Sequence, residues 1–125
     1  MTGAHGTLLV MDELLSGGYR CGRKFWSEYA GITPDLLICG KAIGGGFPVA
    51  MVSIKRSIQT GPVVGQRNTF TNYAPGLAAI VATLSELERL NAQQRSLQIG
   101  EIIQNELNGL DLRGRGAMWI VRFDT

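Results

Sequence analysis

"DLLICGKAIGGGFP", residues 35–48, decides how the rest of the chain is read. Leu36, Leu37, Ile38 and Cys39 run without polar alternation and stop at Gly40. A short unbroken apolar run of this kind fits a buried strand of a parallel sheet. Lys41 stands at the carboxyl end of that strand, and Gly44, Gly45 and Gly46 follow before Pro48. Lysine is rarely buried without a partner. A nucleophilic lysine needs desolvation or a cationic neighbour, and the apolar strand before Lys41 offers the former. The glycines let a ligand come close to the backbone. A nucleotide phosphate loop is excluded, because it needs a glycine five residues before the Gly-Lys pair and a hydroxyl residue after it. Asp35 and Ala42 occupy those positions.

Working outward, "TLLVMDE" (7–13) predicts a second fully buried parallel strand, closed by acids. "LLSGGYRCGRK" (14–24) reads as a Gly-rich loop, and "KFWSEYAG" (24–31) as a short helix ended by Gly31. Residues 49–54, "VAMVSI", predict a third strand, and 55–75 mostly loop. The period then changes. Leu77, Ile80, Val81, Leu84, Leu87 and Leu90 follow helical spacing, with Pro75 suited to the first turn. Leu97, Ile99, Ile102, Ile103 and Leu107 predict a second helix over 94–110, capped in the left-handed region at Asn108-Gly109. Both stripes are expected in the core. "LRGRG" (112–116) reads as a turn, and "AMWIVRFD" (117–124) as a strand with one wet face. Strands with short crossovers followed by helices indicate the α/β class. Its chemistry gathers at the carboxyl ends of strands. Asp12 and Lys41 both stand at such ends, about one strand–crossover–strand unit apart, so the two side chains are expected to face one pocket.

Composition narrows the function. The 125 residues carry 12 basic and 10 acidic side chains, a balance that speaks against nucleic acid or an anionic membrane surface as partner. No apolar run approaches the roughly 20 residues of a membrane span. The two cysteines, Cys21 and Cys39, make no metal motif, and the one histidine is His5, so no metal site is expected. Reduced thiols and a cytoplasmic location are expected. Both ends enter or leave apolar strands abruptly, which suggests a piece of a larger protein. No GxGxxG follows the first strand, against a dinucleotide-binding domain.

A carboxylate beside a strand-end lysine describes a Schiff-base cofactor site. The lysine takes an aldehyde, and the carboxylate keeps a pyridine ring protonated as an electron sink. "LLVMDELLSGGYRCGRKF", "GITPDLLICGKAIGGGFPV", "NTFTNYAPGLAAIVATLSELE" and "LRGRGAMW" together resemble, in order, the class III pyridoxal-phosphate aminotransferases of the ornithine, GABA and glutamate-1-semialdehyde type. The resemblance implies fold type I, with residues 1–91 the second half of the large domain and 92–125 the start of the small C-terminal domain. It implies pyridoxal 5'-phosphate as cofactor, a small-molecule amino donor and oxo acceptor, and a homodimer. It implies that Lys41 carries the cofactor and shuttles the α-proton. By the same resemblance Asp12 pairs with the ring nitrogen, Leu14 packs on a ring face, and Thr69 binds the phosphate across the dimer interface. Leu15 stands where many members have glutamine, and "TFTNYAP" departs from the usual TFxGNP. The family's upstream phosphate loop, second ring-stacking aromatic and carboxylate-gripping arginine fall outside these residues, so the chain alone is expected to lack turnover. Two other functions stay open: an aminomutase of the glutamate-1-semialdehyde type, and a truncated module without catalysis.

Overall fold

The computed structural model describes residues 6–58 and 70–123. His5 and Thr69 lie outside them. The order is β1 (Val10–Asp12), α1 (Trp26–Ala30), β2 (Leu36–Gly40), β3 (Ala50–Ile54), α2 (Ala74–Arg89), α3 (Ala92–Glu106), β4 (Asp111–Arg115) and β5 (Met118–Arg122). β2 is central in a three-stranded sheet. It pairs parallel with β1 and antiparallel with β3, while β4 and β5 form a separate hairpin.

The register assigns the two faces. Val10 and Asp12 lie opposite Leu36 and Ile38, which in turn lie opposite Ile54 and Val52. Residues in register share a face, so these six form one side. Leu37, Cys39 and Met51 form the other, and that side packs on Ile43 and on α2 through Ile80 and Leu84. Burying Ile43 and Ile80 is worth about 1.5–3 kcal/mol each. The first side is largely open: Val10, Val52 and Ile54 are exposed. β1 is therefore not the fully buried strand that its composition predicts. It is a three-residue edge strand with one wet face, and Val10 is 51% exposed.

The helices form where the spacing places them, but their apolar stripes are only partly covered. α2 buries Gly76 and Ile80, whereas Leu77 is exposed and Val81 is 66% exposed. α3 buries Ser96 and Gly100 in place of its aliphatic stripe, leaving Ile99, Ile102 and Leu107 exposed. The reason is a backbone contact. The β4–β5 turn rests against this small-residue face so closely that a Cβ on Gly100 would lie 2.7 Å from the Gly116 carbonyl oxygen. The Ser96 hydroxyl donates to the Arg20 carbonyl at 3.0 Å and accepts from the Ala117 N–H at 3.1 Å. The Ala117 N–H also reaches the Arg20 carbonyl at 2.8 Å.

Two local expectations change. "LRGR" is not a turn: it lies in β4, and only Gly116 and Ala117 reverse the chain, with Gly116 at φ 58°. The second helix stops at Glu106. Leu107, at φ −112°, follows it, and a turn closes when the Leu110 N–H bonds the Leu107 carbonyl, so Asn108-Gly109 provides no left-handed cap. Gly31 does cap α1 in that region, at φ 64°. No helix of the described residues is long and apolar enough to cross a membrane.

Gly116 combines a left-handed backbone with a site where an added Cβ would lie 2.7 Å from both the Cys21 carbonyl carbon and the Gly22 nitrogen. Gly116→Ala is expected to lower stability by about 2 kcal/mol or more. A urea midpoint unchanged from wild type would show that the hairpin is not docked this way.

Candidate active site

Lys41 opens a 3₁₀ turn, Lys41–Gly44, directly after β2. Its φ is 49°, the left-handed region that a side chain disfavours. The residues around it hold the turn in place. Ile43 is fully buried. A Cβ on Gly44 would lie 2.8 Å from Val49 Cγ1, and one on Gly45 (φ 58°) would lie 2.5 Å from Thr83 Oγ1. The Gly45 N–H donates to the Ala42 carbonyl at 3.2 Å, and the Phe47 N–H to the Gly44 carbonyl at 2.9 Å.

Gly40 has a different reason to be glycine. Its φ is −177°, which any residue adopts. A Cβ there, however, would lie 2.8 Å from Leu14 Cδ2, 3.1 Å from Ala50 Cβ and 3.2 Å from the Val49 carbonyl oxygen. Leu14 is thus seated over Gly40. Gly40 shares Asp12's face by register, so Leu14 lies on Asp12's side of the sheet. A cleft of about 380 Å³ opens there, lined by Leu14, Lys41, Phe47, Pro48, Val49 and Ala50. The Lys41 amine is exposed and bonds to no described residue.

Asp12 ends β1, one strand away. Its Oδ1 accepts the Leu14 N–H at 3.0 Å, and its Oδ2 has no partner among the described residues. The structure therefore joins Lys41 and Leu14 in one cleft and ties Asp12 to them through Leu14, but Asp12 is not part of the cleft lining. Thr69 lies outside the described residues. No group of three or more His, Cys, Asp or Glu among the described residues suits a metal.

One residue escaped the sequence reading. Glu13, only 1% exposed, sits beneath this loop. Its carboxylate accepts the Ser27 N–H at 2.8 Å, the Trp26 N–H, and the Ser16 hydroxyl at 3.1 Å. Phe25 stands at the N-cap of α1 and has no side-chain acceptor, so the helix's orphan N–H groups go to Glu13 instead. A short helix whose N-cap is apolar is the signal that such an acceptor must come from elsewhere. The two cysteines are free thiols, both buried, and burial pushes both thiols up. They are not poised as nucleophiles.

A free amine, an apolar seat where a glycine has no room for a side chain, and an unpaired carboxylate oxygen on the same side of the sheet suit an aldehyde-bearing pyridinium. Lys41 would hold its carbonyl carbon, Leu14 one ring face, and Asp12 Oδ2 its ring N–H.

Comparison with known proteins gives the family. The model of the class-III aminotransferases (Aminotransferase class-III) matches residues 1–125. Diaminobutyrate–2-oxoglutarate aminotransferase of Haemophilus influenzae is 33% identical over 94% of this chain and 28% of its own length. Ethanolamine-phosphate phospho-lyase homolog 1 of Caenorhabditis elegans is also 33% identical, over 92% of this chain and 27% of its own. The crystal structure of acetylornithine aminotransferase from Elizabethkingia anophelis superposes with a TM-score of 0.85 at 25% identity, over 99% of this chain and 35% of that one. The chain thus spans under a third of the length of the two curated relatives.

Glu13→Ala leaves buried donors unmet and is expected to cost about 1–3 kcal/mol, read as a lower urea midpoint. Glu13→Gln, which keeps one acceptor, is expected to cost less. Iodoacetamide at pH 7.5 is expected to alkylate Cys21 and Cys39 far more slowly in the native protein than in urea, since raised thiol pKa values and burial both lower the accessible thiolate. Equal rates in the two states would contradict this.

Proposed function

The chain belongs to the class-III aminotransferase family, and we propose that it carries the lysine half of a pyridoxal 5'-phosphate site that moves an amino group between a small amine or amino acid and an oxo acceptor. The observation that carries this reading is Lys41: an unpaired amine on a residue held at a left-handed φ where a packed 3₁₀ turn begins, in a cleft shared with Leu14 and tied through it to Asp12. When bound, the cofactor supplies an electron sink for the pair left at the substrate's α-carbon.

The chain's own residues do the rest. Lys41 would hold the cofactor's carbonyl carbon, and its Nζ, when free, would take the proton from the substrate's α-carbon as general base. The turn fixes the lysine backbone while the side chain stays free to swing, which proton transfer between two positions requires. Asp12 Oδ2 keeps the ring nitrogen protonated. Its Oδ1, held by the Leu14 N–H, fixes the carboxylate's aim. Leu14 keeps water from one ring face. Thr69 takes the phosphate.

Within this reading, residues 1–91 belong to a large cofactor-binding domain and 92–125 begin a smaller one. The break between α2 and α3 at Asn91, φ 50°, supports that division. A homodimer is supported by the exposed apolar group Phe70, Tyr73, Leu77 and Val81 at the start of α2. We place the protein in the cytoplasm, the reducing compartment that suits two free thiols. 2-Oxoglutarate, named for the Haemophilus relative, is the acceptor to try first.

Borohydride reduction in the presence of pyridoxal phosphate, followed by peptide mapping, is expected to fix the pyridoxyl group on Lys41, and Lys41→Ala is expected to abolish specific labelling. Labelling scattered over Lys24 and Lys55 would overturn the assignment. In the complete protein, Asp12→Asn is expected to lower amino transfer by about 100-fold or more, the loss of the charge that keeps the electron sink protonated. Unchanged turnover would remove Asp12 from the site.

A further inference from the structure

The geometry points to Tyr19 as a positioning residue for Lys41: with Lys24 and Glu88 it forms a clasp that presses the 14–24 loop onto the lysine's turn. This rests on the reading of Lys41 given above. Gly18, at φ 71°, lies so near the turn that a Cβ on it would be 2.9 Å from Ala42 Cβ and 3.6 Å from the Ile43 nitrogen. The loop backbone therefore touches the residue next to Lys41. Tyr19 follows with φ 66°, a second side-chain-bearing residue held left-handed. Strained backbone persists only where the surroundings over-determine it.

The restraints on Tyr19 are visible. Its N–H and that of Gly18 both donate to the Lys24 carbonyl, at 3.3 and 2.9 Å, and the Gly22 N–H donates to the Tyr19 carbonyl at 3.0 Å. Its hydroxyl donates to Glu88 Oε1 at 3.4 Å. The Lys24 ammonium pairs with the same oxygen and lies 6.0 Å from the Tyr19 ring centroid. The hydroxyl is a donor at neutral pH, and burial raises its pKa further.

Glu88 belongs to α2, one and two turns beyond Leu84 and Ile80, which support the lysine's turn from below. One helix thus carries both the floor of the turn and the anchor of the loop that covers it. A clasp this exposed contributes little to global stability. Its effect is local, on where the turn holds Lys41.

The test uses the full chain with Tyr19→Phe, Glu88→Gln, and the exchange pair Lys24→Glu with Glu88→Lys. Two readouts are taken: amide hydrogen exchange over residues 41–45, and the ratio of pyridoxyl labelling at Lys41 to that at Lys55, which sits beside Asp35 at the far end of β2. Both single variants are expected to keep the wild-type melting temperature, to speed exchange in the turn about fivefold, and to lower the labelling ratio by a similar factor. The exchange pair is expected to restore both. Wild-type exchange and ratio in both single variants, or no rescue by the pair, would overturn the clasp. If wild type itself labels Lys41 no better than Lys55, the cofactor assignment fails, and turn exchange alone then decides for or against the clasp.

Discussion

A side chain on a left-handed residue costs about 1–2 kcal/mol, and the chain accepts that cost at Lys41. Most of the fold can be followed from that single backbone angle. The turn that imposes it is wedged between β2, which ends on a glycine with no room for a Cβ, and α2, whose Ile80, Thr83 and Leu84 close against it. The loop from β1 covers it through Gly18. That loop is in turn held from inside by Glu13 and from the other flank by the β4–β5 turn on Arg20. A flexible turn would let the amine wander over several ångströms. A fixed one confines it to the sweep of its own side chain, which is what a lysine that must meet the same carbon repeatedly needs.

Much of this was legible in the sequence. The unbroken apolar run Leu36–Cys39 located the central strand, and Pro75 with the helical spacing to Leu90 located α2, Ala74–Arg89, within a residue at each end. Asp12 and Lys41 fell at strand ends because polar residues terminated apolar runs there. What could not be read were contacts made by backbone. Ser96 and Gly100 are buried in α3 because a hairpin turn needs close approach, and no hydrophobicity pattern marks that. Glu13 reads as one of two adjacent acids. Only the geometry separates the buried one, which caps α1, from Asp12, whose free oxygen faces the open side of the sheet.

Two exposed apolar areas have a plain physical consequence. Val10, Val52 and Ile54 on the sheet, and Phe70, Tyr73, Leu77 and Val81 around the start of α2, form more exposed apolar surface than isolated single residues would. The strands read as buried because their composition suits burial. The family match over residues 1–125, on relatives more than three times as long, accounts for that composition. The two curated relatives, one named an aminotransferase and the other a phospho-lyase homolog, match this segment at equal identity.

Whether Lys41 holds the cofactor is decided by a crystal structure of the complete protein grown with pyridoxal phosphate. Continuous density is expected from Lys41 Nζ to the cofactor, with the ring against Leu14 and its nitrogen within hydrogen-bond distance of Asp12 Oδ2. Density joined to another lysine, or a ring nitrogen turned away from Asp12, would contradict it.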